Sequence, residues 1–409
     1  MQEGELIPHL FRTESGKITA VLCKLFSIQH IEIAEDITSE TFLQALETWP
    51  YKGIPENPAA WLYAVAKNKA KNHIHRVNVF ETKIAAEITP SQTIEYEVDL
   101  SDKNISDSQL QMLFALCHPA IPAEAQIGLS LRLLCGFGID EIANAFLTNK
   151  ETINKRLFRA KETLRTGKIP IELPSPIEIP KRLETVLTTL YLLFNEGYYS
   201  ESNDTVVREE LCHEAMRLAT LLTENPATNM PAVNALLSLM YFHASRFPAR
   251  KISNGEVILY DEQNESLWDQ VLITKGAHYL MRSSVGNSLS KYHLEASIAF
   301  WYTVKAGTKE KWENILQLYN RLLQLEYSPI AALNRTYALS KANGKMEAIA
   351  EAEKLQLTEN QYYFSLLGEL YTGIDNVKAR QNLERALQLA KGRPDQKTIA
   401  RKLHDLAIK

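Results

Sequence analysis

An all-α protein is what this sequence predicts. Apolar residues recur at helical intervals over Ile31–Trp49, Ile139–Ala160 and much of 181–409, the C-terminal part repeats with a period of 34 residues, and proline and glycine gather at breaks between periodic stretches. A chain of 409 residues with 45% hydrophobic content exceeds one ordinary domain and can bury substantial cores. Three helical units are expected, at 1–76, 109–166 and 183–409, joined by linkers at 77–108 and 167–182.

The first unit centres on a helix over Ile31–Trp49. Ala34, Ile37, Thr41, Ala45 and Trp49 share its buried side, while Glu32, Glu35, Asp36 and Glu40 form an acidic face suited to a basic partner. Pro50, Gly53, Pro55 and Pro58 break the chain. Asn57 then precedes Pro58, a residue tolerated in the first turn of the next helix. Between Ala66 and Arg76 that helix carries Lys67, Lys69, Lys71 and Arg76 with no acid, together with Asn68, Asn72, His73 and His75, and Trp61 lies near its start. Cations interleaved with aromatics suit single-stranded nucleic acid, because charge tracks the phosphates while aromatic faces meet exposed bases. A lone Trp on an amphipathic helix equally suits a core position. Val77–Ser108 has no sustained apolar period and reads as a connector.

Gly138–Arg165 reads as a helix-turn-helix. Ile139, Ile142, Ala143 and Phe146 give the first helix an apolar stripe, and small Ala143 permits a close crossing. Thr148-Asn149-Lys150 supplies the turn and a cap, and Ile153, Leu157 and Ala160 form the buried stripe of the second helix. Its other face carries Lys150, Thr152, Asn154, Lys155, Arg156, Arg159 and Lys161, combining phosphate-neutralising charge with donors able to reach base edges in a major groove. Seven basic residues face two acidic ones from Asn149 to Lys168, so the local charge points to DNA although the whole chain has a net charge of −4. Across 1–168 there are 18 Lys and Arg against 21 Asp and Glu, which places the basic character in two helices rather than across the unit.

Pro170, Pro174, Pro176 and Pro180 space out an extended arm before the C-terminal part. There Leu333 and Leu367, Tyr337 and Tyr371, Ile349 and Leu383, Ala352 and Ala386, and Leu355 and Leu389 are each offset by 34, the tetratricopeptide period. Stacked helix pairs of this kind make concave partner-binding surfaces. Gly197 is expected as the left-handed residue ending an apolar helix. Asp261-Glu262-Gln263-Asn264 with Trp268, and Tyr292-His293, suit either a pocket lining or a loop over packed aromatics, and no chemistry is assigned to them.

Cys23, Cys117, Cys135 and Cys212 lack metal-ligand spacing and read as buried thiols of a reducing cytoplasm. No export signal and no run near ~20 apolar residues is present, so neither export nor membrane insertion is expected. The chain has no Gly-rich phosphate loop, nucleophile elbow or His-Glu-x-x-His, and ten dispersed histidines suggest no metal site, so no enzyme and no cofactor is expected.

The order of parts is more specific than any one of them. Ala34-Glu35-Asp36-Ile37 through Glu40-Thr41-Phe42, then Asn57-Pro58-Ala59-Ala60-Trp61-Leu62, resemble region 2 of the extracytoplasmic-function sigma factors of the sigma-70 family, and the helix-turn-helix resembles region 4. Leu116-Cys117-His118-Pro119-Ala120-Ile121-Pro122 and Leu190-Tyr191-Leu192-Leu193-Phe194-Asn195-Glu196-Gly197-Tyr198 are similar to the subgroup with a long tetratricopeptide-like extension. The resemblance implies binding to core RNA polymerase, at its clamp coiled coil through Asp36, Glu40 and Phe42 and at its flap. It also implies minus-ten contacts from Trp61, Lys67, Asn68, Lys71, Asn72 and Arg76, and minus-thirty-five contacts from Lys150 to Lys161. Where the family usually ends region 2 with an Asp and two arginines, this chain has Asn72, His75 and Arg76, so a different minus-ten preference is expected. A small YCII-like protein is a candidate partner by the same resemblance. The rival reading is a polymerase-independent helix-turn-helix regulator with a helical sensor domain.

Overall fold

A computed structural model describes residues 3–84, 98–146, 148–198, 209–250 and 258–408, and among these every regular element is helical. The chain forms two compact units, Met1–Leu192 and Leu193–Lys409.

The N-terminal unit is built on α1 (Glu3–Phe26), followed by a short 3-10 turn (Ile28–His30), α2 (Ile31–Lys52) and α3 (Pro58–Ile84). Ile18, Leu22, Ala34, Ala45, Leu62, Ala66 and Ala70 are fully buried, so the apolar stripes of all three helices meet in one core. α2 continues through Pro50 to Lys52 and stops at Gly53, whose φ of 81° is a conformation that side chains disfavour. Asn57 Oδ1 accepts the Ala60 N–H at 3.0 Å and so caps α3.

Four helices complete the bundle: α4 (Asp102–Leu116), α5 (Ala123–Leu133), α6 (Ile139–Ala145) and α7 (Lys150–Thr166). α4 and α5 both pack on α1. The connector expected over 77–108 is shorter than the sequence suggested. α3 runs on past Arg76 to Ile84, and α4 begins at Asp102, where the Ser101 side chain accepts the Asn104 N–H; residues 85–97 lie outside the described residues. The proline arm is shorter too, because α8 (Ile179–Tyr198) starts within 167–182 after Ser175 Oγ donates to Glu178 at 2.6 Å. Gly197 lies inside α8 rather than ending it in a left-handed conformation, and Tyr199 is outside the described residues.

The C-terminal unit contains α9 (Glu209–Glu224), α10 (Pro231–Ala244), the one-turn α11 (Phe247–Arg250), α12 (Gln270–Ser283), α13 (Lys291–Trp301) and α14 (Lys309–Leu325). Two helix hairpins follow in the 34-residue register, α15 (Pro329–Ala342) with α16 (Lys345–Leu355) and α17 (Gln361–Tyr371) with α18 (Asn376–Leu389), and α19 (Arg393–Ile408) closes the unit. Ala352 and Ala386 are fully buried at equivalent positions, and Leu333, Ile349, Leu367 and Leu383 join one core. A Cβ on Gly368 would lie 2.6 Å from Leu383 Cγ, so α17 and α18 cross at a point where only glycine fits.

The acidic loop Asp261–Asn264 is held by cations. Lys305 Nζ donates to the carbonyls of Tyr260, Asp261 and Gln263 at 2.9, 3.2 and 3.0 Å, and Lys311 Nζ donates to Tyr260 Oη at 2.8 Å. Lys341 and Arg401 pair with Asp261 and Glu262. His293 bonds to Ser290 and to the Ser283 carbonyl. These residues are accounted for as a stapled loop over buried Trp268.

Candidate nucleic-acid interface

Helix α7 is amphipathic in the sense a recognition helix requires. Ile153, Leu157, Ala160 and Leu164 are buried, and burial of each large aliphatic side chain contributes about 1.5–3 kcal/mol. A Cβ on Gly128 of α5 would sit 2.9 Å from Leu157, so α5 and α7 approach closely there. Asn149 Oδ1 caps α7 by accepting the Thr152 N–H at 2.8 Å. The opposite face exposes Lys150, Asn154, Lys155 and Arg159, with Thr152 and Arg156 half-buried beside them. Thr152, Lys155, Arg156 and Arg159 line a cleft of about 380 Å³ with Pro122 and Ala125 at the start of α5.

The cations on this face are not equivalent. Lys150 pairs with Asp140 at 2.6 Å, and Arg156 with Glu124 at 2.7 Å, its guanidinium also 5.7 Å from the Phe146 ring. Lys161 pairs with Glu35 of α2 and is half-buried. Lys155 and Arg159 make no ion pair among the described residues and are the most available for an anion. Phe158, 67% exposed between them, was not singled out by the sequence reading. The signal was there: it falls outside the buried register of Ile153, Leu157, Ala160 and Leu164, so a large apolar ring had to point outward.

On α3, Leu62, Ala66 and Ala70 are buried at four-residue intervals, which turns Asn68, Lys71, Asn72, His75 and Arg76 outward. Trp61 stands on the same side as Asn68 and Asn72, at intervals of seven and eleven residues. It is half-buried, with its ring edge-to-face on the buried Trp49 at 5.4 Å, so it is both a packing residue and a partly presented aromatic. Lys67 flanks the strip, half-buried, and Lys69 turns away to pair with Glu40 at 3.1 Å.

On α2, Asp36 and Glu40 are exposed, as is Glu32. Two expectations are corrected here. Phe42 is 4% exposed and packs edge-to-face on Phe11 at 4.9 Å, so its ring belongs to the core rather than to a partner surface. Glu35 leaves the acidic face and turns toward Lys161 and, at 3.8 Å, Arg132. The apolar residues that α2 does present are Leu43 and Leu46, 53% and 54% exposed, followed by Tyr51 and Ile54. Buried Cys23 lies near the Glu35–Lys161 pair, and burial pushes its thiol far above the ordinary range.

The fold thus defines an all-helical protein with a helix-turn-helix whose outer face is basic and a second exposed basic helix. Comparison with known proteins narrows the class. Residues 10–78 match the sigma-70 region 2 family, and residues 182–284 match a family of unknown function, DUF6596. The chain is 33% identical to an uncharacterized protein of Rhizobium meliloti over 402 residues, 96% of this chain and 94% of that protein. It is 27% identical to the RNA polymerase sigma-H factor of Pseudomonas aeruginosa over 34% of this chain and 74% of that protein. It is also 32% identical to the ECF RNA polymerase sigma factor BldN of Streptomyces coelicolor over 32% of this chain and 49% of that protein. No solved structure gives a significant match. The chain belongs to the sigma-70 family of RNA polymerase sigma factors, in its extracytoplasmic-function type, and carries a long C-terminal extension. Among the described residues no helix is long and apolar enough to cross a membrane.

Proposed function

We propose that the protein binds core RNA polymerase through the exposed face of α2, directs it to promoters through α7, and helps open the minus-ten element through α3. The observation that carries this reading is the pairing of two outward-facing basic helices, α3 and α7, with an α2 face of opposite character. α2 offers Asp36 and Glu40 with Leu43 and Leu46 to a basic and apolar partner surface. Charge on α7 supplies phosphate contacts, and Thr152, Asn154 and Lys155 in its first two turns supply donors at the depth where a recognition helix meets base edges. On α3 the exposed amides and cations beside Trp61 suit a separated strand. The C-terminal unit is proposed as the regulatory part, its helix hairpins being of the kind that bind partners through a concave surface.

The test is run-off transcription with purified core polymerase on the protein's own upstream region. Specific transcripts should require the protein. Arg156→Ala combined with Arg159→Ala should lower them roughly tenfold or more, as expected for loss of two groove or phosphate contacts, while core polymerase is still retained in a pull-down. Duplex binding without any polymerase-dependent transcript would favour the polymerase-independent regulator instead.

A further inference from the structure

In the C-terminal unit the loop before α12 is held at two separate places. Its backbone and rings are fixed from one side: Lys305 Nζ meets three of its carbonyls, the Tyr260 ring stacks on Trp268 at 6.2 Å and stands edge-on to Tyr302 at 5.0 Å, and Gln263 and Trp268 are buried. None of these contacts uses the carboxylates of Asp261 and Glu262, which reach the helix array instead. Asp261 Oδ2 accepts from Tyr337 Oη and Lys341 Nζ of α15, both at 3.1 Å. Glu262 takes Arg401 of α19 with two bonds, from Nη1 to Oε1 at 2.9 Å and from Nη2 to Oε2 at 3.1 Å.

α15 and α17 are the first helices of their pairs, and α19 follows α18 as the next first helix. Lys402 of α19 pairs with Glu369 of α17 at 2.8 Å, and the acidic tip of the loop reaches from α15 to α19 on the face these first helices form. Stacked helix pairs use such an extended face to bind a partner segment. Here it holds a segment of its own chain, the single 3-10 turn Tyr260–Glu262, which presents two neighbouring carboxylates to a lysine and an arginine. The Asp261 and Glu262 side chains remain 56% and 42% exposed, and exposed ion pairs contribute little to stability. Because Lys305 and Trp268 already hold the loop, the two pairs are not needed to fix it. What matched pairs do supply is selectivity for a charge pattern.

We propose that the face formed by α15, α17 and α19 is a docking site for an acidic peptide segment of a partner protein, whose adjacent carboxylates take Lys341 and Arg401, and that Asp261 and Glu262 occupy it in the free chain. The inference rests on the partner-binding role proposed above for the C-terminal unit. A tethered segment competes at an effective concentration on the order of millimolar. The resident carboxylates therefore set a threshold that excludes weakly acidic segments and yields to a segment with more carboxylates.

The probe is a fluorescein-labelled peptide copying residues 258–266, titrated into the full-length protein and followed by anisotropy. Asp261→Asn with Glu262→Gln frees the two cations while leaving Lys305 and Trp268 in place, and this variant should bind the peptide roughly tenfold or more tighter than wild type. Adding Lys341→Ala with Arg401→Ala should remove that gain, as should replacing the acids of the peptide by their amides, and rising salt should weaken binding. Thermal unfolding of the Asp261→Asn, Glu262→Gln protein should stay close to wild type; a large loss would show that the carboxylates fix the loop and would overturn the proposal. Equal affinity for wild type and this variant would overturn it too, as would binding that survives the loss of both cations. Run-off transcription separates the docking face from the role it rests on. If the peptide docks as expected but neither it nor the variants change transcription, the regulatory role fails and the docking face stands. If deleting the C-terminal unit changes transcription while the peptide never docks, the regulatory role stands and the docking face falls.

Discussion

At the scale of single residues, the structure separates side chains that hold the fold from neighbours that meet a partner, even one position apart. Phe42 and Leu43 are adjacent on α2, yet Phe42 is buried on Phe11 while Leu43 stands half in solvent. Phe42→Ala should therefore destabilise the N-terminal unit by about 3–5 kcal/mol through the cavity it leaves. Leu43→Glu with Leu46→Glu should change stability by well under about 1 kcal/mol, as exposed substitutions do, but weaken capture of core polymerase. Chemical denaturation followed by a core-binding assay on the folded variants distinguishes the two. Equal stability losses for both, or core binding weakened only by the Phe42 variant in its folded state, would contradict this division. The cations on α7 divide in the same way. Lys155 and Arg159 are free of ion pairs among the described residues, whereas Lys150, Arg156 and Lys161 must release a carboxylate before meeting phosphate.

At the scale of elements, α7 owes its start to one capping side chain. Asn149→Ala removes the acceptor for the Thr152 N–H, and a loss of about 1 kcal/mol is expected. Because the cap sits beside Lys150 and Thr152, the same change should fray the DNA-facing turn, and Asn149→Asp should retain both stability and transcription; thermal unfolding of the three proteins checks this. This cap was legible in the sequence because Asn at a helix start acts locally. The buried stripes of α2 and α7 were legible because spacing alone fixes which side of a helix faces its neighbours. The helix pairs α15/α16 and α17/α18 fall on the 34-residue repeat for the same reason. Linker lengths were less legible: 77–84 and 102–108 are helical despite weak periodicity, and over 102–108 the packing of α4 on α1 stabilises what local pattern does not specify. The inward turn of Glu35 was not legible at all. Its spacing puts it with Asp36 on a charged side, and only the tertiary neighbours Lys161 and Arg132 draw it away.

At the scale of the whole molecule, the proline arm after α7 is not the end of the N-terminal unit. The first part of α8 is bound into it: Arg182 Nη2 donates to the Phe114 carbonyl at 2.6 Å, and Thr189 Oγ1 donates to Gln126 Oε1 at 3.1 Å. Leu183, Val186, Leu187 and Leu190 on the same stretch are buried, and the compact unit extends to Leu192. A truncation after Lys168 therefore does more than delete the extension. It removes the donors to the Phe114 carbonyl and to Gln126 and, with Leu183, Val186, Leu187 and Leu190, an apolar face whose burial contributes about 1.5–3 kcal/mol for each large aliphatic side chain. Residues 1–192 should unfold cooperatively at a higher denaturant midpoint than 1–168, and only the longer fragment reports how the C-terminal unit acts on transcription. If 1–192 transcribes more strongly than the full chain, the extension inhibits; if it is inactive while still folded and able to bind core polymerase, the extension is required. Equal midpoints for the two fragments would show that α8 adds nothing to the N-terminal unit, and either cut would then serve.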